Sequence, residues 1–162
     1  MDNTMKHEKY YMGIAKLASD NSYDRREKVG ACIVTKHNIT LSGWNGTPEG
    51  FDNECQNEHI EKVFVGGGRI DPFENVVKLV TKPEVIHAEM NAISKAAREG
   101  VALDGSVLFC TLSPCIECAK MIIQSGIKEV VFLKNYRDSG GIDLLKKANI
   151  IVRKYDDSDR IS

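Results

Sequence analysis

Ser106-Val107-Leu108-Phe109-Cys110-Thr111-Leu112-Ser113-Pro114-Cys115-Ile116-Glu117-Cys118-Ala119-Lys120-Met121-Ile122-Ile123-Gln124-Ser125-Gly126 is the stretch that decides the fold. Ser106 to Thr111 is an apolar run of strand length. Ser113 is then suited to cap a helix and Pro114 to open it, and Gly126 ends that helix. The alternation continues with a strand over Glu129 to Leu133, a helix over Ile142 to Ala148 and a strand over Ile150 to Lys154. Upstream, a helix over His87 to Glu99 stops at Gly100. Alternation of this kind implies parallel later strands with helices packed on the sheet faces, so the fold class is α/β.

The first third supplies the other edge of that sheet. Lys6 to Ser19 reads as a helix, with Tyr10, Tyr11, Ile14, Leu17 and Ala18 at helical spacing. Val29 to Thr35 and Ile39 to Trp44 read as two strands joined by a turn at Asn38, which makes a hairpin. Asn45-Gly46-Thr47-Pro48-Glu49-Gly50-Phe51 is a loop. Residues 51–86 read as an insertion: a short helix near Asn53 to Val63, the triplet Gly66-Gly67-Gly68 in a mobile loop, and an apolar stretch over Val76 to Val80. The polar tail 156–162 reads as frayed, and residues 1–162 as one domain.

Composition narrows the function. The hydrophobic fraction is 42% and the charged fraction 28%, with 22 basic and 23 acidic side chains. The net charge of −1 gives no footprint for a long polyanion, so no nucleic-acid partner is expected, while a small anion needs only a few local cations. No apolar run approaches a membrane span and no secretory h-region opens the chain. Five cysteines in such a chain are metal ligands or core residues sooner than disulfides, and a cytoplasmic location is expected.

The chemistry is concentrated in His87-Ala88-Glu89 and Pro114-Cys115-Ile116-Glu117-Cys118. One imidazole and two thiolates give three ligands for a tetrahedral Zn2+ with its fourth position open to water, as catalysis requires. Glu89 is near enough to move that water's protons without binding metal. Each half opens a helix, where the dipole favours thiolate and neutral imidazole. Taken singly, these residues have plainer readings: a redox Cys-x-x-Cys pair, core cysteines or a packed histidine. Cys32 and Cys110 fall inside apolar strands and read as core residues. Cys55 and His59, four apart on a helix, would offer two ligands to a second ion, against a plain structural role.

His-x-Glu with Pro-Cys-x-x-Cys is the known signature of zinc-dependent nucleobase deaminases. Together with Val29-Gly30-Ala31, Gly43-Trp44-Asn45-Gly46-Thr47-Pro48-Glu49-Gly50, His87 to Ile93 and Thr111 to Cys115, it makes the chain resemble the cytidine deaminase superfamily. Within it, the chain is similar to the deoxycytidylate (dCMP) deaminases over most of residues 5–154. The resemblance implies a three-layer α/β/α fold, a five-stranded mixed sheet flanked by helices, and zinc-dependent hydrolysis of dCMP to dUMP. It implies Glu89 as general base and acid, and the Ser113 backbone carbonyl as acceptor for the exocyclic amine. Asn45, Thr47, Ala88 and Tyr136 would contact the nucleotide, and Arg26 its 5′-phosphate, against a second reading of Asp24 to Lys28 as a solvated charge run. The resemblance further implies a homo-hexamer, activation by dCTP and inhibition by dTTP, Mg2+ accompanying a triphosphate effector, and a regulatory place for Arg98. A cysteine that some phage-type relatives use for a second, structural zinc is replaced here by Asp24.

Rival readings use the same cluster. A tRNA adenosine deaminase calls for a basic surface and a short link between Asn45 and His87, neither of which this sequence has. A free-nucleoside cytidine or guanine deaminase is a further alternative, and activity on dCMP against deoxycytidine discriminates it. A zinc-stabilised nucleotide-binding module without catalysis would have no use for Glu89.

Overall fold

The computed structural model describes residues 7–67 and 72–156. Helix α1 (Glu8–Asp20) leads into strands β1 (Gly30–Val34) and β2 (Thr40–Trp44), then β3 (Gln56–Phe64) and β4 (Phe73–Thr81). There follow α2 (Ala88–Arg98), β5 (Val107–Leu112), α3 (Ile116–Gln124), β6 (Glu129–Lys134), α4 (Gly140–Lys147) and β7 (Ile151–Lys154).

Five strands form one sheet in the order β2-β1-β5-β6-β7. β1 runs antiparallel to both neighbours, and β5, β6 and β7 are mutually parallel. The mixed sheet expected from the sequence is therefore present. Strand alternation divides the core into two layers. Cys32, Val34, Val107, Phe109 and Val131 point to one face and meet Tyr11, Met12 and Ala15 of α1. Ala31, Ile33, Leu108, Cys110, Val130 and Phe132 point to the other and meet α2, α3 and α4. Phe109, Leu108, Ile33 and Ile122 are fully buried, each such side chain contributing about 1.5–3 kcal/mol.

Helices α2 and α3 end alike. The N–H of Val101 donates to the Ala96 carbonyl, and that of Ile127 to the Ile122 carbonyl, across Gly100 and Gly126 at φ 68° and 81°. These are the glycine stops expected from the sequence. The other end of α3 differs: it begins at Ile116, with Cys115 and not Ser113 at the N-cap. Ser113 instead accepts the backbone N–H of Tyr136 on its hydroxyl at 2.7 Å.

The insertion is the main correction. The helix expected near Asn53 to Val63 is strand β3, and Val76 to Val80 lies in β4. The two pair antiparallel over nine positions, from Gln56↔Thr81 to Phe64↔Phe73, in a sheet of their own. Nearly every residue of both strands is exposed, so neither shows the half-buried alternation that makes a strand readable. Part of the loop expected to be mobile (68–71) and all but the first residue of the expected tail lie outside the described residues.

Candidate metal centre and its cleft

Two helix starts converge at the carboxyl side of β5. His87 is the N-cap of α2 and Cys115 the N-cap of α3, both with extended backbones. Two close approaches set them. A Cβ at Gly43 would lie 2.4 Å from the Ala88 carbonyl oxygen and 2.6 Å from the Ala92 nitrogen, so only glycine lets α2 lie this tightly on β2. A Cβ at Gly141 would lie 2.0 Å from the Pro114 carbonyl oxygen, so the start of α4 braces the cysteine turn. Asn91 adds a tie, its amide donating to the Trp44 carbonyl at 2.8 Å.

The result is a triangle of donors. His87 Nδ1 lies 3.4 Å from Cys115 Sγ and 3.4 Å from Cys118 Sγ, and all three atoms lie within 4.8 Å of one another. Ordinary Zn–N and Zn–S bond lengths give a tetrahedral N···S edge of about 3.5 Å. The donor set and its spacing thus fit zinc. Among the described residues this is the one such cluster. Cys55 and His59 do not make a second, because the strand rise of about 3.3 Å per residue places residues four apart about 13 Å from each other.

The metal-free cluster holds its protons unevenly. Cys115 is lowered to about 3, chiefly by the hydrogen bond from Cys118 and also by that from His87, against burial. The same bond and burial hold Cys118 up as a thiol. His87 is raised, first by its bond to Cys115, with burial opposing. A metal ion must therefore displace a proton from Cys118.

Glu89, in the first turn of α2, is 4% exposed. Burial pushes its carboxyl above the usual carboxylate range, while a backbone hydrogen bond, the His87 charge and a hydrogen bond with Cys118 pull the other way. Burial thus favours the protonated form, which suits a carboxyl that takes up and passes on a proton.

Above the cluster opens a cleft of about 550 Å³, lined by Arg26, Asn45, His87, Ala88, Glu89, Ser113, Cys115 and Tyr136. These are eight of the residues picked out from the sequence. Cys118 is fully buried. Two picks lie elsewhere. Thr47 lines a second cavity of about 460 Å³ and donates its hydroxyl to the Asp52 carbonyl. Arg98 pairs on the surface with Glu49 at 2.7 Å, both side chains exposed.

The cleft is also lined by Asp24 and Glu27 of the charged run, and by residues that the sequence did not single out: Thr81, Val85, Asn135 and Arg137. Arg137 lies 5.6 Å from the centre of the Tyr136 ring, a second cation beside the aromatic. Its place directly after Tyr136 was the available signal. Asn45 also braces the wall of the cleft. Its Oδ1 accepts the Val29 N–H at 2.8 Å, and its Nδ2 donates to the Glu27 carbonyl at 2.9 Å.

Residues 5–134 match the family model described as the cytidine and deoxycytidylate deaminase zinc-binding region. The chain belongs to the cytidine and deoxycytidylate deaminase family. Among members of this family, the deoxycytidylate deaminase of Homo sapiens is 36% identical over 161 residues, covering 95% of this chain and 82% of the human one. That of Enterobacteria phage T4 is 35% identical, covering 86% and 84%. The crystal structure of the dCMP deaminase of cyanophage S-TIM5, in complex with dCMP and dUMP, superposes with a TM-score of 0.75 at 39% identity, covering 93% of this chain and 97% of that one. Among the described residues, no helix is long and apolar enough to cross a membrane.

Proposed function

We propose that this family member is a zinc-dependent deaminase that hydrolyses dCMP to dUMP and ammonia. The observation that carries the reading is the His87, Cys115 and Cys118 triangle with Glu89 buried beside it, at the base of a cleft that also contains Arg26 and Arg137. The relatives at 35–39% identity, named for dCMP or deoxycytidylate, support the nucleotide.

Zinc held by His87 Nδ1 and the two thiolates would act as a Lewis acid and make water a nucleophile at neutral pH. Glu89 takes one proton from the attacking water and delivers it to N3 of cytosine. It then takes the second from the hydroxyl so formed at C4 and delivers it to the amine, which leaves as ammonia when the C4–N bond breaks and the carbonyl forms. The Ser113 carbonyl accepts from the exocyclic amine and so orients the base, with Ala88 beneath it. Asn45 and Tyr136 flank the sugar. Arg26, joined by Arg137, offers a planar donor fork to the 5′-phosphate.

Regulation belongs to the same reading. Thr47, Glu49 and Lys95 line the second cavity, and Arg98 is tied to Glu49, which supports a role for that corner in binding a deoxynucleoside triphosphate with Mg2+. Assembly with further copies is favoured by the β3–β4 arm, where Ile60, Phe64, Phe73 and Val77 share one face and are 72%, 64%, 49% and 56% exposed, and a hexamer is what the family resemblance implies. A two-stranded hairpin is marginal by itself and gains from a covering surface. Five unpaired cysteines accord with a cytoplasmic setting.

The test is a panel of dCMP, CMP, deoxycytidine and a tRNA anticodon stem, assayed with and without dCTP. Preferential release of ammonia from dCMP is expected, and light scattering should give six chains. Activity confined to the tRNA stem would establish the adenosine deaminase reading instead. Zinc binding with no turnover on any substrate would establish a binding module.

A further inference from the structure

Residues 22–29 form neither helix nor strand, yet nearly every step of the segment is held by a side chain. Asp24, 6% exposed, accepts two successive backbone N–H groups on Oδ1: that of Arg26 at 2.7 Å and that of Glu27 at 3.0 Å. Its own N–H donates to the Ser22 hydroxyl at 3.1 Å, and that hydroxyl donates to the Asn45 carbonyl at 2.8 Å. The Asn45 side chain holds both Glu27 and Val29. The Arg26 guanidinium in turn donates to the Thr81 hydroxyl at 3.0 Å, at the base of the β3–β4 arm.

A buried carboxylate in the wall of a cleft that receives a dianion is electrostatically adverse unless its charge is used elsewhere. Here it is directed at the two amides that fix the backbone on either side of the Arg26 Cα. Arginine has much rotamer freedom to lose, and a fixed backbone with an Nη1 contact to Thr81 lowers that cost before a ligand arrives. We infer that Asp24 is a positioning residue that sets nucleotide-over-nucleoside selectivity by holding Arg26 towards the phosphate end of the cleft. The inference rests on the nucleotide reading above. It adds that selectivity resides in the turn as well as in the guanidinium.

The experiment is steady-state kinetics of zinc-loaded protein on dCMP and deoxycytidine, for wild type, Asp24→Ala, Asp24→Asn, Arg26→Gln and the double variant Asp24→Ala/Arg26→Gln. Loss of one charged acceptor should raise the KM for dCMP by about tenfold or more. The kcat/KM for deoxycytidine, which has no phosphate, should stay within about twofold. Asp24→Asn keeps the Oδ1 acceptor and should restore dCMP kinetics to within about threefold of wild type. Added to Arg26→Gln, Asp24→Ala should cost dCMP less than about a further twofold. Equal losses on both substrates, or additive losses in the double variant, would overturn the inference by showing a general structural role. So would a loss beyond about tenfold in Asp24→Asn, a test that holds even if Asp24→Ala fails to fold. A wild type with no preference for dCMP would overturn the nucleotide reading itself, and it is recognised without any variant.

Discussion

His87 and Cys115 stand 28 residues apart in sequence, cap two different helices, and bring Nδ1 and Sγ to 3.4 Å. Neither is available for a side-chain cap, and neither makes one. The two helix starts are thus given to ligand placement, and their dipoles favour the deprotonated donors a metal requires.

Removal of metal should expose that chemistry. Cys115 is half-buried and lowered to about 3 by its hydrogen bonds from Cys118 and His87, whereas Cys118 is buried and held as a thiol. After chelation, iodoacetamide should modify Cys115 before any other cysteine, and added zinc should suppress the reaction. Peptide mass spectrometry reads the site. Cys118 or Cys55 reacting first would contradict the protonation pattern.

Gly43→Ala should loosen the platform under α2. The new methyl would meet the Ala88 carbonyl at 2.4 Å, a backbone clash that overpacking measurements put at about 1–3 kcal/mol. Zinc content should fall with stability, since His87 and Glu89 are carried on that helix. Gly13→Ala is the control: its Cβ meets nothing within 4 Å in α1, and helix propensity predicts a gain of about 0.5–1 kcal/mol. Thermal melts with metal analysis test both.

The fold was legible where strands are buried on both faces and therefore read as continuous apolar runs. Ile33, Leu108, Val130 and Phe132 on one face, with Cys32, Phe109 and Val131 on the other, are filled by helices whose period can be read directly. The β3–β4 arm was not legible, because its strands are fixed by cross-strand pairing such as Ile60↔Val77 and not by a core. His87, Glu89, Cys115 and Cys118 were readable from residue type and spacing alone. The ties between Asn45 and Glu27, or Gln56 and Arg25, were not, since no local pattern reports which loop a side chain will meet.

Alkaline pH should weaken the core through its thiols. Burial pushes Cys32 up to about 12 and Cys110 well above the ordinary thiol value. A folded value above the unfolded one means that the folded state binds more protons, so stability is complete below about pH 9 and is lost as pH rises towards 12. By about pH 10.5 the Cys32 contribution lost should be about 2 kcal/mol. Urea melts near pH 8 and pH 10.5 should show that much less pH sensitivity in Cys32→Ala than in wild type. Equal sensitivity would contradict the assignment.

The most direct test of the account is Glu89→Gln, which keeps shape and hydrogen bonding but removes the group that moves the proton. With dCMP as substrate and zinc measured on the same sample, kcat should fall by about 10²–10⁴-fold while zinc stays bound to His87, Cys115 and Cys118. Turnover within about tenfold of wild type, with zinc retained, would contradict the central role of Glu89.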